Sequence, residues 1–324
     1  MKTENQIKKK LVSCIVPVLN EELTISNFIQ SLNKQNYRPI ELIIVDGGSK
    51  DKTIEIINKH IQELEDNSFS IKLLKEKDFG STPSPANARN IGLDAVSGEF
   101  VLFIDSDTCF IETSTISSLI AEIGDNDFSV LLLKPLLDTK LEKFISKTIN
   151  KGGILFYRRE FVKKARFIPT LGFGEDKIFN YQLFGNFELS YKTNSKNYIG
   201  RHYPHTKKEL SQQNKWYGRT IMRYIFTVYS INKRESIRQF TYVLYNILMA
   251  FFPLIILVSL LVSLKLSVIL VATLFALILI RYFMYGLNSA EEYIFLLWYS
   301  IFCGFFFTKG LISNLYKKNI IGRV

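Results

Sequence analysis

Twenty-three consecutive residues, Tyr242 to Leu264, carry no charged side chain. At about 1.5 Å per residue, a helix of that length crosses a hydrocarbon core of about 30 Å, and soluble helices seldom run so far without a charge. Asn246 and Pro253 inside the run are tolerable in a membrane helix. A second run, Leu266 to Ile280, is stopped by Arg281, and a third spans Tyr293 to Phe307; each has 15 residues and needs flanking aromatics to reach across. The expectation is two or three transmembrane helices, with a two-helix hairpin favoured. Three crossings place Lys317, Lys318 and Arg323 on the outer side, against the tendency of basic residues to stay in the cytoplasm.

The net charge of +11 raises nucleic acid as a partner, so its distribution matters. Residues 1–200 hold 26 basic and 26 acidic side chains, residues 201–240 hold 9 and 2, and residues 241–324 hold 6 and 2. A basic belt directly before an apolar segment fits a cytoplasmic membrane neck that attracts anionic headgroups, and no nucleic-acid partner is expected. A hydrophobic content of 47% excludes disorder. The three cysteines, Cys14, Cys109 and Cys303, are too dispersed for a metal knuckle or a disulfide framework.

Residues 1–10 are polar and basic, and the apolar stretch Leu11 to Leu19 is short, contains Pro17 and runs into Asn20-Glu21-Glu22. That reads as a buried strand entering a polar loop rather than a secretory signal, so the N-terminal part is expected in the cytosol. Leu11–Val18, Glu41–Val45, Ile71–Leu74 and Phe100–Ile104 read as strands. Ile25, Phe28, Ile29 and Leu32 fall on one helical face, and Thr53–Ile61 and Asn87–Val96 also carry helical spacing. The alternation predicts an α/β fold with a mainly parallel sheet covered by helices on both faces, where ligands bind beyond the carboxyl ends of the strands.

Polar clusters gather at those ends. Asp105-Ser106-Asp107 delivers two carboxylates to the end of a buried strand, where a hard cation such as Mg²⁺ or Mn²⁺ neutralises them well; an acidic turn reads the same way. Asp46-Gly47-Gly48-Ser49-Lys50-Asp51 allows close backbone approach to a ligand and then caps a helix, or is a plain strand-to-helix turn. Arg89, in Ala88-Arg89-Asn90, is placed to pair with a phosphate or to be solvated. Glu175 and Asp176 follow Gly172-Phe173-Gly174 at a helix N-terminus, a setting that favours ionised acids and suits either a general base or simple capping.

In this order the motifs resemble glycosyltransferase family 2. They are Val16-Pro17-x-x-Asn20-Glu21-Glu22, Asp46-Gly47-Gly48-Ser49-x-Asp51, Ala88-Arg89-Asn90-x-Gly92, Asp105-x-Asp107 and Gly174-Glu175-Asp176, and the resemblance covers about residues 11–220. It implies a GT-A fold that binds a nucleotide sugar, with Pro17, Asn20 and Glu21 lining the nucleoside pocket and Asp46 on the base. Arg89 would lie near the diphosphate, Asp105 and Asp107 would hold ribose and a Mn²⁺ or Mg²⁺ ion, and Asp176, beside Glu175, would deprotonate the acceptor hydroxyl. Inversion at the anomeric carbon follows. Gly47 departs from the family, which often has a second Asp there, and Ser81-Thr82-Pro83-Ser84-Pro85 is stiffened by two prolines.

Beyond the core, His202 and His205 sit beside a basic run and are candidates for a further metal or diphosphate contact, His202 first. Gln212-x-x-Lys215-Trp216 is similar to the Gln-x-x-Arg-Trp signature of processive synthases, with Lys in place of Arg; an amphipathic interfacial helix over Leu210–Tyr229 is preferred. The expected organisation is a cytosolic GT-A domain at 1–200, a basic interfacial neck at 201–240 and a membrane region at 241–324. The expected function is a metal-dependent, inverting transferase at the cell membrane that moves a sugar from a UDP- or GDP-sugar to a lipid-linked or polysaccharide acceptor. A processive polysaccharide synthase and a non-catalytic nucleotide-sugar-binding membrane protein are the alternatives.

Overall fold

The computed structural model describes residues 10–80, 83–137, 139–149, 153–185, 197–287 and 289–321. The basic opening of the chain, Ser81, Thr82 and Arg323 lie outside them. The chain divides into two compact units: residues up to 138 together with 150–203, and residues 139–149 together with 204 onward.

In the first unit the chain runs β1 (Val12–Val18), α1 (Ile25–Asn33), β2 (Ile40–Asp46), α2 (Thr53–Leu64), β3 (Phe69–Lys75), α3 (Pro85–Ala95), β4 (Phe100–Phe103), β5 (Thr108–Phe110), α4 (Thr115–Ile123) and β6 (Phe128–Pro135). After α5 (Lys140–Ile149), which belongs to the second unit, it returns through β7 (Gly153–Arg158), α6 (Arg159–Val162), α7 (Glu175–Phe184) and β8 (Tyr198–Arg201).

The eight strands form one sheet in the order β3-β2-β1-β4-β7-β6-β8-β5. The first four pair in parallel, as the alternation predicted. From β7 the sheet is mixed: β7 is antiparallel to both β4 and β6, β8 is parallel to β6, and β5 is antiparallel to β8.

The central strands are largely apolar because both their faces are covered. Cys14 and Val16 of β1 and Leu42 and Ile44 of β2 join a core with Phe28, Ile29 and Ile57 of α1 and α2. Their neighbours Ile15, Ile43 and Val45 join a core with Leu93 of α3, Val162 of α6 and Phe179 of α7. This is the period-two alternation of a strand buried on both sides. Pro17 sits past the last β1–β4 pair, Ile15–Phe103, so its missing N–H costs no ladder bond on that side.

Gly92 lets α3 lie close on β1, because a Cβ there would run into the Ile15 side chain. Gly92→Ala is expected to destabilise the unit by about 1–3 kcal/mol through overpacking. Thermal unfolding of the variant checks this, and an unchanged melting temperature contradicts it.

The second unit contains α5, α8 (Lys207–Tyr229), α9 (Lys233–Val262), α10 (Leu264–Met284) and α11 (Ala290–Ile321). Three of these helices are long and apolar enough to cross a membrane: Lys233–Val262, Leu264–Met284 and, within α11, Ala290–Asn314. The two 15-residue runs are thus embedded in longer helices. Arg281 does not end its helix, because its guanidinium lies 4.3 Å from the Tyr245 ring and 5.1 Å from the Tyr285 ring. Only Ser263 separates α9 from α10, and the Ser259 and Ser267 hydroxyls, 2.9 Å apart, join the two arms of the hairpin. Gly218 brings α8 onto the α11 backbone at Phe307. Phe144 of α5 packs edge-on against the Phe295 ring and tilted against the Tyr299 ring of α11, with centroids 4.7 and 5.3 Å apart.

Candidate active site

The loops after β1 and β2 are laced together at the carboxyl edge of the sheet. Asn20, with φ of 58°, donates its N–H to Ser49 Oγ and accepts at Oδ1 from Lys50 N. The Glu21 N–H reaches Thr53 Oγ1 at 2.7 Å, and the Glu22 N–H reaches Asp51. Asp46 folds back on its own turn: its two carboxylate oxygens accept from Gly48 N and Ser49 N, each at 3.0 Å. Gly48 makes that turn possible at φ of 100°. Asn20 and Asp46, both expected at the nucleoside pocket, thus each hydrogen-bond within the rim of the site.

Arg89 is the centre of the charged cluster. One guanidinium nitrogen donates to Asp105 Oδ1 at 2.7 Å and another to Glu175 Oε1 at 2.8 Å. From β8, Arg201 donates to Asp105 Oδ2 and to Asp107 Oδ2, both at 3.3 Å. The neighbouring Asn90 exchanges two hydrogen bonds with the Phe167 backbone, and the Arg89 guanidinium lies 5.6 Å from the Phe167 ring. That brace fixes α3 against the segment leading to α7. Glu21 belongs to the same neighbourhood through Ser106 and the Asp105 charge.

Burial opposes ionisation of Asp105, but Arg89 and Arg201 outweigh it and hold that carboxyl below its usual range. Asp107 is pushed up to about 6 by burial, with Arg201 pulling it down and Asp105 and Glu21 adding to the rise. Its Oδ1 is buried and has no hydrogen-bond partner among the described residues. A buried, unsatisfied carboxylate oxygen beside a second acid is a hard-oxygen donor set that fits Mg²⁺ or Mn²⁺. Among the described residues no three His, Cys, Asp or Glu side chains are grouped to share one ion, so a cation there would draw the rest of its shell from elsewhere.

Gly174, at φ of 72°, turns the chain into α7 and sets Glu175 and Asp176 in its first turn. Glu175 is buried against Arg89, whereas Asp176 is exposed. Burial pushes Glu175 up to about 7, against the pull of Arg89 and helped by the Asp176 and Asp105 charges. The folded chain thus keeps a proton that an unfolded glutamate gives up near about pH 4.3, so the stability this group contributes is complete below that pH and lost as pH rises through about 7. Glu175→Gln cannot ionise. Its melting temperature is expected to gain on the wild type's on going from about pH 5 to about pH 8. Thermal scans at both pH values check this; a gap that does not change with pH contradicts it.

His202 continues the β5–β8 ladder, its N–H bonded to Asp107 O at 2.8 Å. Arg201 turns toward the carboxylates, and the next residue of a strand faces the other way. His202 accordingly lines a cleft of about 460 Å³ with Thr24, Gln30, Lys34 and Phe110. In the second unit, His205 pairs with Glu209 at 3.2 Å beside the Thr206 cap of α8, and Lys215 lies 5.0 Å from the Phe306 ring.

Two residues of the site escape the motif reading. Arg201 gains its place from the register that sets it opposite Thr108 across β5 and β8. Glu76, buried after β3, accepts from Ser84 N and thereby holds the start of α3, where Ser84 caps the helix through Asn87 N. It stands next to Asp46, whose charge adds to the rise that burial imposes on it. An acid at the end of a strand, the signal that singled out Asp46 and Asp105, would have found it as well.

A mixed α/β sheet with acids and arginines converging at its carboxyl edge defines a GT-A nucleotide-sugar transferase fold. The chain belongs to glycosyltransferase family 2: the profile described as Glycosyl transferase family 2 matches residues 13–179. It is 45% identical over 98 residues to an uncharacterized glycosyltransferase of Haemophilus influenzae, an alignment covering 30% of this chain and 36% of that protein. It is 32% identical over 182 residues to the GalNAc(5)-diNAcBac-PP-undecaprenol beta-1,3-glucosyltransferase of Campylobacter jejuni, covering 54% and 56%. The chain therefore spans between about a third and just over half the length of these relatives. In structure it is similar to the mannosyltransferase PcManGT of Pyrobaculum calidifontis, solved with GDP-Man and Mn²⁺, with a TM-score of 0.58 at 14% identity over 96% of this chain and 89% of that one.

Proposed function

We propose that the chain transfers a sugar, with inversion, from a nucleoside-diphosphate donor to a lipid-linked acceptor at the cytoplasmic face of a membrane. The observation that carries this reading is the convergence of Asp105, Asp107, Glu175 and Arg89 at one sheet edge, with exposed Asp176 next to the buried pair. Pro17 and Glu21 border the nucleoside side of that edge. Asp105 and Asp107 would hold the Mn²⁺ or Mg²⁺, Asp107 through its unsatisfied oxygen. When bound, such an ion offsets the charge that develops on a departing diphosphate.

The chain's own groups supply the rest. Arg89 keeps Asp105 ionised and holds Glu175 in place. Asp176, in water at the start of α7, accepts the proton of the acceptor hydroxyl, and the oxygen attacks the anomeric carbon from the face opposite the leaving diphosphate. The mannosyltransferase neighbour, bound to GDP-Man and Mn²⁺, supports a nucleotide-sugar donor, and the Campylobacter relative, named for a PP-undecaprenol acceptor, supports a lipid carrier. Three apolar helices behind a basic neck support a multi-pass membrane placement with the first unit in the cytoplasm.

Hydrolysis of a panel of UDP- and GDP-sugars by the purified full chain, with Mn²⁺ or Mg²⁺, tests the donor. Transfer to polyprenyl-diphosphate-linked and to soluble sugars then tests the acceptor. Turnover of a donor in the panel is expected, with faster transfer to the lipid-linked sugar; no turnover with either ion would sink the reading.

A further inference from the structure

Within the second unit, Arg281 carries a charge that no acid balances. Its guanidinium lies 4.3 Å from the Tyr245 ring and 5.1 Å from the Tyr285 ring, and it donates to Tyr285 Oη. Among the described residues no carboxylate is paired with it; its charged form is supported by tyrosines. Ring faces attract a cation without cancelling its charge. A guanidinium has five N–H donors, so a hydroxyl partner leaves donors to spare. The residue is half-buried, so the group is still reached from outside the helices.

Its height in the α9–α10 hairpin indicates what it faces. Lys265 and Arg281 stand sixteen positions apart on α10 with no charge between them. That is about 24 Å along the helix axis. Long basic side chains extend toward the headgroups at either end of a hydrocarbon core of about 30 Å, so on the membrane placement proposed above the two residues mark opposite headgroup layers. Ser259 and Ser267 join the arms near the Lys265 end. Arg281 meets Tyr245 toward the other end, where α9 opens with Lys233 and Arg234. Tyrosine belongs to that layer. An unbalanced cation fixed by tyrosines in a membrane helix signals a site, and the anion at headgroup depth is lipid phosphate.

We propose that Arg281 is a lipid-phosphate site: Tyr245 and Tyr285 hold the guanidinium so that its planar fork receives phosphate oxygens of a lipid anion, either a bilayer phospholipid or the diphosphate of a lipid-linked acceptor. The fork matches phosphate bidentately, where a lysine offers only a point charge. The proposal rests on the membrane placement and, for the second source only, on the glycosyl-transfer reading.

The full chain in neutral detergent tests this without turnover. Native mass spectrometry reads its affinity for phosphatidylglycerol, for the matching diacylglycerol, which lacks the phosphate, and for polyprenyl diphosphate. Arg281→Gln is expected to bind at least one of the two phosphate lipids about tenfold more weakly, and Arg281→Lys about threefold more weakly, with diacylglycerol unchanged in both. A loss shared by the two phosphate lipids assigns the site to either source. A loss confined to phosphatidylglycerol assigns it to the bilayer, and one confined to polyprenyl diphosphate assigns it to the acceptor's carrier. Losses that extend equally to diacylglycerol mark a merely structural arginine and overturn the proposal, as does wild-type affinity for both phosphate lipids in either variant. Arg281→Lys alone decides if the Gln variant does not fold. The reading of function fails separately: a chain that turns over no nucleotide sugar, yet loses phosphatidylglycerol binding in Arg281→Gln, ends that reading and keeps the site.

Discussion

Asp176→Asn is expected to lower sugar transfer by about 10³-fold while leaving nucleotide affinity within about twofold of the wild type, because a positioned general base contributes about 10²–10⁴. The asparagine keeps the shape and the helix-start position of Asp176 but cannot accept the acceptor's proton. Its exposure separates it from Glu175, which is committed to Arg89. Initial rates and calorimetric UDP or GDP affinities on the same preparation check the split. Transfer at the wild-type rate would remove Asp176 from the chemistry.

Removing the charge of Arg89 should have the largest effect on the fold. Arg89→Met keeps most of the volume but leaves Glu175, 11% exposed, and Asp105, 34% exposed, without the partner that neutralises both. Stripping one member from a buried ion pair costs about 3–5 kcal/mol. Because Asp105 is partly solvated and also meets Arg201, about 3 kcal/mol is expected, a fall of roughly 6–12 °C in melting temperature. At about pH 8, adding Glu175→Gln to the same chain should recover part of that loss, since a buried acid that must either stand unpaired or take up a proton is then gone. Thermal unfolding of the three variants checks this. A double variant whose loss is the sum of the single ones would show that Arg89 and Glu175 do not depend on each other.

How far the sequence could be read follows from which contacts are local. β1, β2 and β4 are mainly apolar, broken early by Ser13 and Glu41, because both faces are covered, and each hands its chain to a polar turn; the parallel half of the sheet and its three acidic loops were therefore plain in the sequence. The antiparallel half was not. β8 is four residues, Tyr-Ile-Gly-Arg, with no periodic pattern, and its place between β6 and β5 is set by partners 66 to 93 residues away. Arg201 was passed over for that reason, although it lies next to His202. Asp46 shows the converse: its motif was evident, but only coordinates reveal that its two carboxylate oxygens accept from Gly48 and Ser49.

Between β6 and β7 the chain leaves the first unit, builds α5 on α11 through Phe144, and returns. The polypeptide thus passes from unit to unit three times, at 138/139, 149/150 and 203/204. A single C-terminal cut that removes α11 is therefore expected to bare Phe144, now 7% exposed, whose ring packs on Phe295 and Tyr299. Residues 139–149 would have to be excised and replaced by a short polar bridge as well.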